Sequence, residues 1–311
     1  MTEQKKILCV GFSYCAAALV PYLQKLDWHI MATARDGARA EALHELGIEV
    51  LPVDGTELLP EQIASVTHIL VSPPPDGDGM DPAYQLLSLA LAHHTPSWIG
   101  YLSTTGVYGD HEGAWIDEDT PTGTLGARGL RRVKAEQNWR CLGEANGHCV
   151  NFFRLAGIYG PSRNGLVALQ QGRSRRISKP GQVFSRIHVE DIAQILLASI
   201  ERPNPGRAYS VCDDEPAAPE EVVRFAAELM GVDPPPLVPF EQAELSPMAK
   251  SFYADNKRIR NDRIKTELGV QLKFPTYRDG LTSLWQAMQT SSDSPSDSPS
   301  DSPSAFLPTR S

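Results

Sequence analysis

The sequence predicts an α/β fold in which a doubly wound parallel sheet is covered by helices on both faces. Two observations support this prediction: short apolar segments recur along the first half of the chain, and segments with helical periodicity separate most of them. A strand, a helix and a second strand repeated in this way form a parallel sheet. Ligands of such sheets bind beyond the carboxyl ends of the strands, so functional residues are expected directly after the apolar segments.

The individual elements can be assigned in chain order. Six apolar segments are predicted as buried strands: KILCVG, HIMAT, IEVLPVD, HILVS, SWIGYLST and CVNFFRL. The segments CAAALVPYLQKL, ARAEALHELG and PAYQLLSLALAHH are predicted as helices between them. After residue 160 the pattern loosens, with Pro and Gly clusters at 202–206 and 233–239. We predict a dinucleotide-binding core over 1–160 and a smaller, mixed substrate region over 161–289, in which 183–212 contribute a strand and a helix to the core.

The C-terminal segment is predicted to lie outside the fold. Residues 291–304 read SSDSPSDSPSDSPS, a repeat with no side chain able to form a core. We therefore predict a disordered tail over 290–311.

Composition limits the classes of partner. The chain has 311 residues, 41% of them apolar, a formal net charge of −9 and a pI near 5.4, which argues against nucleic acid as the main partner. From the polar start MTEQKK we expect no signal peptide, and no apolar run is long enough to span a membrane. Five scattered cysteines without a CxxC motif indicate reduced thiols. We expect a cytoplasmic monomer or homodimer that binds a small molecule and no metal.

The segment GFSYCA, residues 11–16, follows the first predicted strand and opens a helix. In dinucleotide-binding folds this turn reads GxGxxG, and here Gly11, Ser13 and Ala16 stand at the three glycine positions. Ser13 can offer a hydroxyl and its own N–H to a phosphate at the helix N-terminus. The position predicts a Rossmann-type turn, with Phe12 and Tyr14 also contacting the cofactor, and a plain tight turn is the alternative.

Residues after the next three strands bear on which dinucleotide binds. Arg35 stands where NAD-preferring sites keep an acidic residue for the ribose hydroxyls, and an arginine there suits a 2′-phosphate. We therefore predict NADP, with NAD less favoured; a solvated loop arginine is the alternative. Asp54 can accept a hydrogen bond from the adenine amino group, unless it is an exposed turn residue. Ser72, at the end of the fourth strand, is a further candidate contact.

The segment YLSTTGVYGD, residues 101–110, resembles the SSxxVYG signature of the extended short-chain dehydrogenase/reductases, which include nucleotide-sugar epimerases and dehydratases. The resemblance continues through IDEDTP, AEQ, RLAGIYGP, RIHVEDIA, AYSVCDD and ELG, in the family's order, and covers most of residues 6–285. It is closest to the atypical, YeeZ-like branch. The resemblance implies a Rossmann fold, a nicotinamide cofactor and epimerase, dehydratase or other oxidoreductase chemistry.

This sequence departs from the family at its acid/base pair. In the family, the helix after VYG carries YxxxK and then a glutamate four residues on, which aligns Glu136 with the glutamate, Arg132 with the lysine and Arg128 with the tyrosine. Arginine stays protonated to about pH 12 and cannot replace the phenol as an acid or base. Four-residue spacing places the two arginines and Glu136 on one helix face. We predict that Arg132 holds the nicotinamide ribose and that Arg128 binds a substrate anion, unless both form a solvated helix face.

The resemblance assigns the other candidate site residues. Thr104 matches the hydroxyl that orients the substrate carbonyl, although a strand-end threonine can instead bond its own backbone. Tyr108 is the nearest other phenol and a candidate proton donor, although the family's tyrosine here is usually a packing residue. Gly157 and Ile158 match residues at the nicotinamide end. Arg154 and Arg186 can join Arg128 around an anionic substrate, or pair with acidic side chains.

Two functions remain open at this point. The first is an NADP-dependent oxidoreductase or epimerase acting on a phosphorylated or nucleotide-linked small molecule, with an unidentified proton carrier. The second is a catalytically silent protein that senses a dinucleotide or serves as a scaffold. Thr104 and the intact substrate-region motifs favour the enzyme, whereas the missing tyrosine and lysine favour the silent protein.

Overall fold

The computed structural model describes residues 4–292. Its strands are β1 (Lys6–Val10), β2 (His29–Ala34), β3 (Glu49–Pro52), β4 (His68–Val71), β5 (Trp98–Thr104), β6 (Trp115–Ile116), β7 (Val150–Leu155), β8 (Gly157–Tyr159), β9 (Arg176–Ser178), β10 (Arg186–His188), β11 (Ala208–Val211), β12 (Leu237–Pro239) and β13 (Arg258–Ile259). Its α-helices are α1 (Tyr14–Lys25), α2 (Gly37–Glu45), α3 (Pro60–Ile63), α4 (Pro82–Leu91), α5 (Ala127–Asn146), α6 (Gly165–Gln170), α7 (Val189–Glu201), α8 (Pro219–Met230), α9 (Pro247–Tyr253), α10 (Asp262–Thr266) and α11 (Tyr277–Ser292).

The central sheet has seven strands in the order β11-β7-β5-β4-β1-β2-β3, and every pairing in it is parallel. The predicted α/β fold with a Rossmann-type parallel sheet is therefore confirmed, and each of the six predicted strands is present. The chain leaves β1 toward β2 and β3 on one side and returns to β4 on the other. The carboxyl ends of β1 and β4 consequently border the crevice where ligands of such sheets bind.

The sheet is buried on both faces, as the nearly continuous apolar strands predict. Along β1, Ile7 and Cys9 pack into a core with α1 and α7, whereas Leu8 and Val10 pack into a second core with α4 and α5. Successive side chains of a strand point to opposite faces, so one short apolar segment contributes to both cores.

The C-terminal region forms a smaller core of its own beside the sheet. Tyr159, Leu166, Ala226, Tyr277 and Leu281 pack together from β8, α6, α8 and α11. Three two-stranded parallel ladders, β8 with β10, β9 with β12 and β6 with β13, connect segments of this region to one another or to the segment after β5. This arrangement places β10 and the residues after β11 next to the carboxyl edge of the sheet.

Helix α11 continues to Ser292, so the start of the predicted tail at residue 290 is wrong and the helix covers 290–292. The remainder of that prediction, 293–311, lies outside the described residues. Across residues 4–292, no helix combines the length and the apolar character needed to cross a membrane. The same residues contain no group of three or more His, Cys, Asp or Glu side chains arranged to hold a metal ion.

Candidate functional site

The turn after β1 has the backbone that a phosphate-binding turn requires. Gly11 has φ = 69°, a region that favours glycine, and its N–H donates to Thr33 Oγ1 at 2.9 Å. A Cβ atom at Gly11 would lie 2.8 Å from Cγ of Pro73, the second residue after β4. The backbone of β1 and the segment after β4 therefore approach each other so closely that only glycine fits at the turn.

Ser13 is the N-cap of α1. Its Oγ accepts from the N–H of Ala16 at 3.2 Å and lies 3.0 Å from Ser72 Oγ, which links the predicted turn to the predicted contact after β4. The structure thus brings Gly11, Ser13 and Ser72 together at one point of the crevice. Tyr14 starts the helix, but its hydroxyl donates to the carbonyl of Pro161 at 2.7 Å and so faces the loop after β8.

Arg35 is exposed directly after β2, and the structure adds a second arginine beside it. Asp36 caps α2 by accepting from the N–H of Arg39 at 2.8 Å. Nη2 of Arg39 donates to the carbonyl of Phe12 at 2.5 Å, so this half-buried guanidinium lies on the turn after β1. Sequence reasoning missed Arg39, although its place three residues after a helix-capping aspartate, one turn past Arg35, is a readable signal.

Asp54 adopts the turn conformation that was its alternative interpretation. Its Oδ1 accepts from the N–H of Thr56 at 2.9 Å and from the Thr56 hydroxyl at 2.6 Å. These two bonds lower the pKa of the exposed carboxyl. The hydrogen-bond role with adenine stays a prediction, and the geometry shows that one carboxylate oxygen is already occupied.

Arg128, Arg132 and Glu136 follow one another along α5 but differ in their surroundings. Four residues turn a helix by about 400°, so each step moves the side chain about 40° around the axis. Glu136 is buried, Arg132 is half-buried with Nη1 donating to the Tyr101 hydroxyl at 2.9 Å and the Leu102 carbonyl at 3.1 Å, and Arg128 is exposed. The Arg128 guanidinium lies over the ring of Phe252 in α9, 5.3 Å from its centre. The two arginines therefore occupy different environments on one helix.

Arg154 is not an open substrate ligand, because it forms a buried ion pair with Glu136. Nη2 donates to Glu136 Oε2 at 2.8 Å and Nε to Oε1 at 3.2 Å, and both residues are about 95% buried. Ser103 Oγ donates to the same carboxylate at 2.5 Å. Burial alone would lower the pKa of Arg154, yet the bonds with Glu136 raise it overall. The acidic-partner alternative for Arg154 is the one that the structure supports.

Tyr108 and Thr104 differ in access. The Tyr108 hydroxyl lies 2.9 Å from Ser210 Oγ and accepts from Arg154 Nη1 at 3.0 Å. Tyr108 itself is only 1% exposed. Burial raises its pKa. These contacts argue against a catalytic phenol, so Tyr108 is not carried into the proposed function. Thr104 ends β5 half-buried, and its Oγ1 accepts from the N–H of Gly106 at 3.2 Å, which leaves its own O–H available to donate.

Arg186 is opposite Gly157 in the ladder between β10 and β8, in which Ile158 is the next residue. Its Nη1 donates to the carbonyls of Phe184 at 2.8 Å and Ala217 at 3.2 Å. Burial lowers its pKa, and nearby Asp213 acts in the opposite direction. Among the described residues no carboxylate lies within ion-pair distance of Arg186, so its charge stays available beside the predicted nicotinamide contacts.

The one literal YxxxK sequence, Tyr253 to Lys257, is not an acid/base pair on a helix. Helix α9 ends at Tyr253, and Lys257 Nζ donates to the carbonyl of Gly109 at 2.6 Å and pairs with Asp255 at 3.1 Å. Lys257 therefore fixes the loop after the 3-10 helix Thr105–Tyr108.

Comparisons with known proteins agree with the fold. No family model matches the chain. A functionally unknown conserved protein from Silicibacter pomeroyi DSS has 49% identity and a TM-score of 0.85, covering 92% of this chain and 100% of that one. The chain therefore belongs to the same family as that protein.

More distant structures share the fold alone. A dTDP-glucose 4,6-dehydratase from Bacillus anthracis, solved in complex with NAD, has 18% identity and a TM-score of 0.74, covering 92% and 97% of the two chains. A UDP-glucuronic acid 4-epimerase from Bacillus cereus, also with NAD, has 15% identity and a TM-score of 0.73, covering 92% and 99%. In sequence, a 3-diazoavenalumate denitrifying reductase from a Streptomyces species is 30% identical over 139 residues. That match covers 41% of this chain and 44% of the reductase, less than half of the relative's length.

Proposed function

We propose that this protein binds a nicotinamide dinucleotide at the carboxyl edge of its sheet and acts as an oxidoreductase or epimerase on an anionic small molecule. The turn after β1 carries the proposal. Gly11 leaves the backbone free of a Cβ where β1 meets Pro73, and Ser13 caps the helix that begins there. A helix N-terminus approached through a glycine turn binds phosphate through backbone N–H groups and the helix dipole. The chain thus has the groups that a pyrophosphate needs.

The related proteins support this assignment of class. The dehydratase and the epimerase named above are described as NAD complexes, and their chains overlap 92% of this one. The Streptomyces relative is named a reductase. These names come from other proteins, so for this chain they support a nicotinamide cofactor and redox or epimerase chemistry as a proposal.

We propose NADP as the preferred cofactor, although both named neighbours were solved with NAD. The reason lies in this chain: Arg35 is exposed after β2, and Arg39 lies on the turn through its bond to the Phe12 carbonyl. Two guanidinium groups at this end of the crevice suit a 2′-phosphate dianion. The capping role of Asp36 toward Arg39 directs that carboxylate at its own helix, away from competition for a ribose hydroxyl.

The residues around the reaction centre can bind and orient more readily than they can transfer protons. A bound nicotinamide would supply or accept a hydride. Thr104 has an O–H to donate to a substrate oxygen, and Arg132, held by Tyr101 and Leu102, keeps a positive charge at the place of the family's lysine. Arg128 has no neutral form near pH 7 and cannot return a proton. The chemistry of the family's tyrosine must therefore be supplied elsewhere or be absent.

A second function is favoured by one specific observation. The family's phenol is replaced by Arg128, and the neighbouring Tyr108 is enclosed by Ser210 and Arg154. A protein that binds the dinucleotide without redox turnover would have this arrangement. Binding and turnover must therefore be measured on the same preparation.

The cofactor test is calorimetry with NADPH and NADH on the wild-type protein and on Arg35→Ala and Arg39→Ala. We expect NADPH to bind more tightly than NADH, and each variant to lose about tenfold to a hundredfold for NADPH only, because a charge-assisted bond contributes about 1.5–3 kcal/mol. Arg173→Ala is the control, since Arg173 bonds only the exposed Gln171. Equal affinities for the two cofactors in the wild-type protein would contradict the proposed preference for NADP. Failure of the protein to bind either cofactor would contradict the proposed function.

The turnover test follows NADPH oxidation at 340 nm against a panel of keto-sugars and nucleotide sugars. Oxidation that depends on one of these compounds establishes the enzyme. Tight NADPH binding without oxidation across the panel selects the silent dinucleotide-binding protein instead.

A further inference from the structure

Among the buried polar atoms that lack a hydrogen-bond partner, two belong to side chains that interact electrostatically with Arg186 in the C-terminal region. Asp213 Oδ2 and the Tyr277 hydroxyl are enclosed and unpaired, and each side chain is 1% exposed. Buried polar atoms in folded proteins almost always have a partner, so two unpaired atoms around one arginine point to a ligand that binds there. Asp213 follows β11, and Tyr277 starts α11.

Arg186 joins these two groups into one cluster. The N–H of Asp213 donates to the carbonyl of Arg186 at 2.6 Å, and the Arg186 guanidinium lies 5.9 Å from the centre of the Tyr277 ring. Apart from the effect of burial, the positive charge of Arg186 lowers the pKa of both Asp213 and Tyr277, so its field reaches both side chains. A Cβ placed on Gly157 would lie 3.7 Å from Arg186 Cγ. The cluster therefore lies beside the predicted nicotinamide contacts.

Arg186 has unused donors. Its Nη1 serves the carbonyls of Phe184 and Ala217, while Nε and Nη2 have no acceptor among the residues that the structure describes. A plain ion pair with Asp213 would satisfy both residues, but no such pair is formed. Backbone carbonyls thus position the guanidinium, and its remaining N–H groups can donate hydrogen bonds to a ligand.

In their protonation states near neutral pH, Arg186, Asp213 and Tyr277 can all donate hydrogen bonds. Burial raises the pKa of Asp213 to about 8; Arg186 and the N–H of Glu215 lower it, and the neighbouring carboxylates Asp214 and Glu215 raise it. Tyr159 lies near the same groups and is itself held neutral by burial, which raises its pKa. At neutral pH the cluster thus contains one cation, one protonated carboxyl and one neutral phenol. Its natural complement is an oxygen acceptor with negative charge.

We propose that Arg186, Asp213 and Tyr277 form a subsite for one oxyanion group of the substrate, a carboxylate or a phosphoryl group. Arg186 supplies the charge through Nε and Nη2, and the two hydroxyls supply further hydrogen bonds. This inference rests on the proposed function, because Gly157 relates the subsite to the cofactor. It extends the predicted substrate contact from Arg186 alone to a site with two hydroxyl donors that the sequence motifs do not identify.

The experiment titrates acetate and inorganic phosphate separately into the wild-type protein, with and without NADPH, and records the thermal unfolding midpoint. We expect a saturable rise with at least one anion at pH 6.5. Preference for acetate assigns a carboxylate, and preference for phosphate assigns a phosphoryl group. Acetate stays ionised between pH 6.5 and 9, so its affinity should fall about tenfold at pH 9 as Asp213 loses its proton. Phosphate changes its own charge over this pH range. If phosphate is the preferred anion, wild type and Asp213→Asn are therefore compared at one constant pH instead.

Variants separate the three residues. Arg186→Met should abolish the saturable rise, and Arg186→Lys, which keeps a charge without the planar fork, should weaken binding about tenfold and serves if the first variant does not fold. Tyr277→Phe should weaken binding several-fold. Asp213→Asn keeps a donor, so it should bind within a few-fold of wild type at pH 6.5 and lose the pH dependence. Asp214→Asn is the matched control, because Asp214 bonds Asn261 and Lys265 instead.

Several results would overturn the subsite. These are no saturable rise with either anion in a wild-type preparation that still binds NADPH, equal anion affinity in wild type and Arg186→Met, or a response to Asp214→Asn as large as that to Asp213→Asn. Failure of NADPH binding, measured on the same preparation, counts against the proposed function instead. A saturable anion response without NADPH binding would keep the subsite as an anion site and remove its link to the cofactor.

Discussion

The two halves of the crevice satisfy their polar groups in different ways. Around the turn after β1, side chains bond backbone a few residues away: Ser13 with Ala16, Asp36 with Arg39 and Asp54 with Thr56. At the other end, the partners are distant in sequence, as in the bond between Tyr108 and Ser210, which are 102 residues apart. The proposed cofactor half therefore adds local turns and caps to longer contacts such as that of Ser13 with Ser72, whereas in the proposed substrate half long-range contacts leave Asp213 Oδ2 unpaired.

The two halves of the crevice therefore differ in what fixes their geometry and in how they can respond to a ligand. A capped helix N-terminus has its geometry fixed by its own backbone, so it can hold a phosphate without help from the rest of the fold. A buried carboxyl oxygen without a partner, such as Asp213 Oδ2, is instead unfavourable, and a ligand that bonds it can relieve that cost. The cofactor half should consequently respond to changes in backbone conformation, and the substrate half to changes in charge.

The largest expected effect tests the unpaired carboxyl. Burial raises the pKa of Asp213 to about 8 in the folded protein, against about 3.9 for an aspartate in an unfolded chain. The folded state therefore holds a proton that the unfolded state releases, and stability contributed by the neutral carboxyl is present below about pH 4 and lost as pH rises to about 8. At about 1.4 kcal/mol per pKa unit, Asp213→Asn should gain on the order of 5 kcal/mol relative to wild type between pH 4 and 9.

This comparison is made by urea unfolding of both proteins at each pH. Asp214→Asn controls for the general effect of removing a carboxylate. A difference between Asp213→Asn and wild type that does not change with pH would show that the pKa of Asp213 is the same in the folded and unfolded states, which contradicts a carboxyl held protonated by burial.

The second prediction concerns a long-range contact that is fully satisfied. Arg154→Met leaves Glu136 buried without its cation, although Ser103 still donates to it. Breaking one partner of a buried ion pair costs about 3–5 kcal/mol, whereas replacing both partners by apolar residues can be nearly neutral. Urea unfolding should therefore show a large loss for Arg154→Met and a smaller one for Arg154→Met combined with Glu136→Met. A loss below about 1 kcal/mol in the single variant would contradict a buried pair.

The third prediction tests the local half. Gly11→Ala places a Cβ 2.8 Å from Pro73 Cγ at a residue with φ = 69°. The strain should cost about 1–3 kcal/mol of stability, and shifting the turn should weaken NADPH binding at least tenfold. Gly37→Ala is the matched control, because Gly37 lies in α2 with nothing within 4 Å of its added Cβ. Equal effects of the two substitutions, measured by thermal unfolding and calorimetry, would show that the turn after β1 does not require glycine.

Sequence patterns predicted the parts of the fold that local physics controls. The six strands were predicted because each is an apolar segment of strand length, and the turn at Gly11 was predicted because it lies between a strand and a helix. The start of the tail at residue 290 was wrong because helical periodicity in α11 outlasts its apolar residues. The sequence was sufficient to predict a feature where the interacting residues lie within one turn of each other along the chain.

The substrate half could not be predicted in the same way. The motif identified Arg154 and Arg186 as a similar pair of arginines, yet one is bound by Glu136 from α5 and the other is held by the carbonyls of Phe184 and Ala217. Which arginine remains available depends on which elements pack together, and helix periodicity alone does not contain that information. The same holds for Asp213, whose N–H donates to the carbonyl of Arg186 in β10 while its Oδ2 stays unpaired.

The smallest expected effect sharpens the comparison within a single helix. Arg128 is exposed and lies over Phe252, 5.3 Å from the ring centre, whereas Arg132 is half-buried and bonds Tyr101 and Leu102. An exposed cation–π contact contributes about 0.5–1 kcal/mol, so a double-mutant cycle of Arg128→Ala with Phe252→Ala should return a coupling free energy of that size. Arg132→Ala should cost more, about 1–3 kcal/mol, because it leaves the buried Tyr101 hydroxyl without this donor. A larger loss for Arg128→Ala than for Arg132→Ala would contradict this ranking of the two environments.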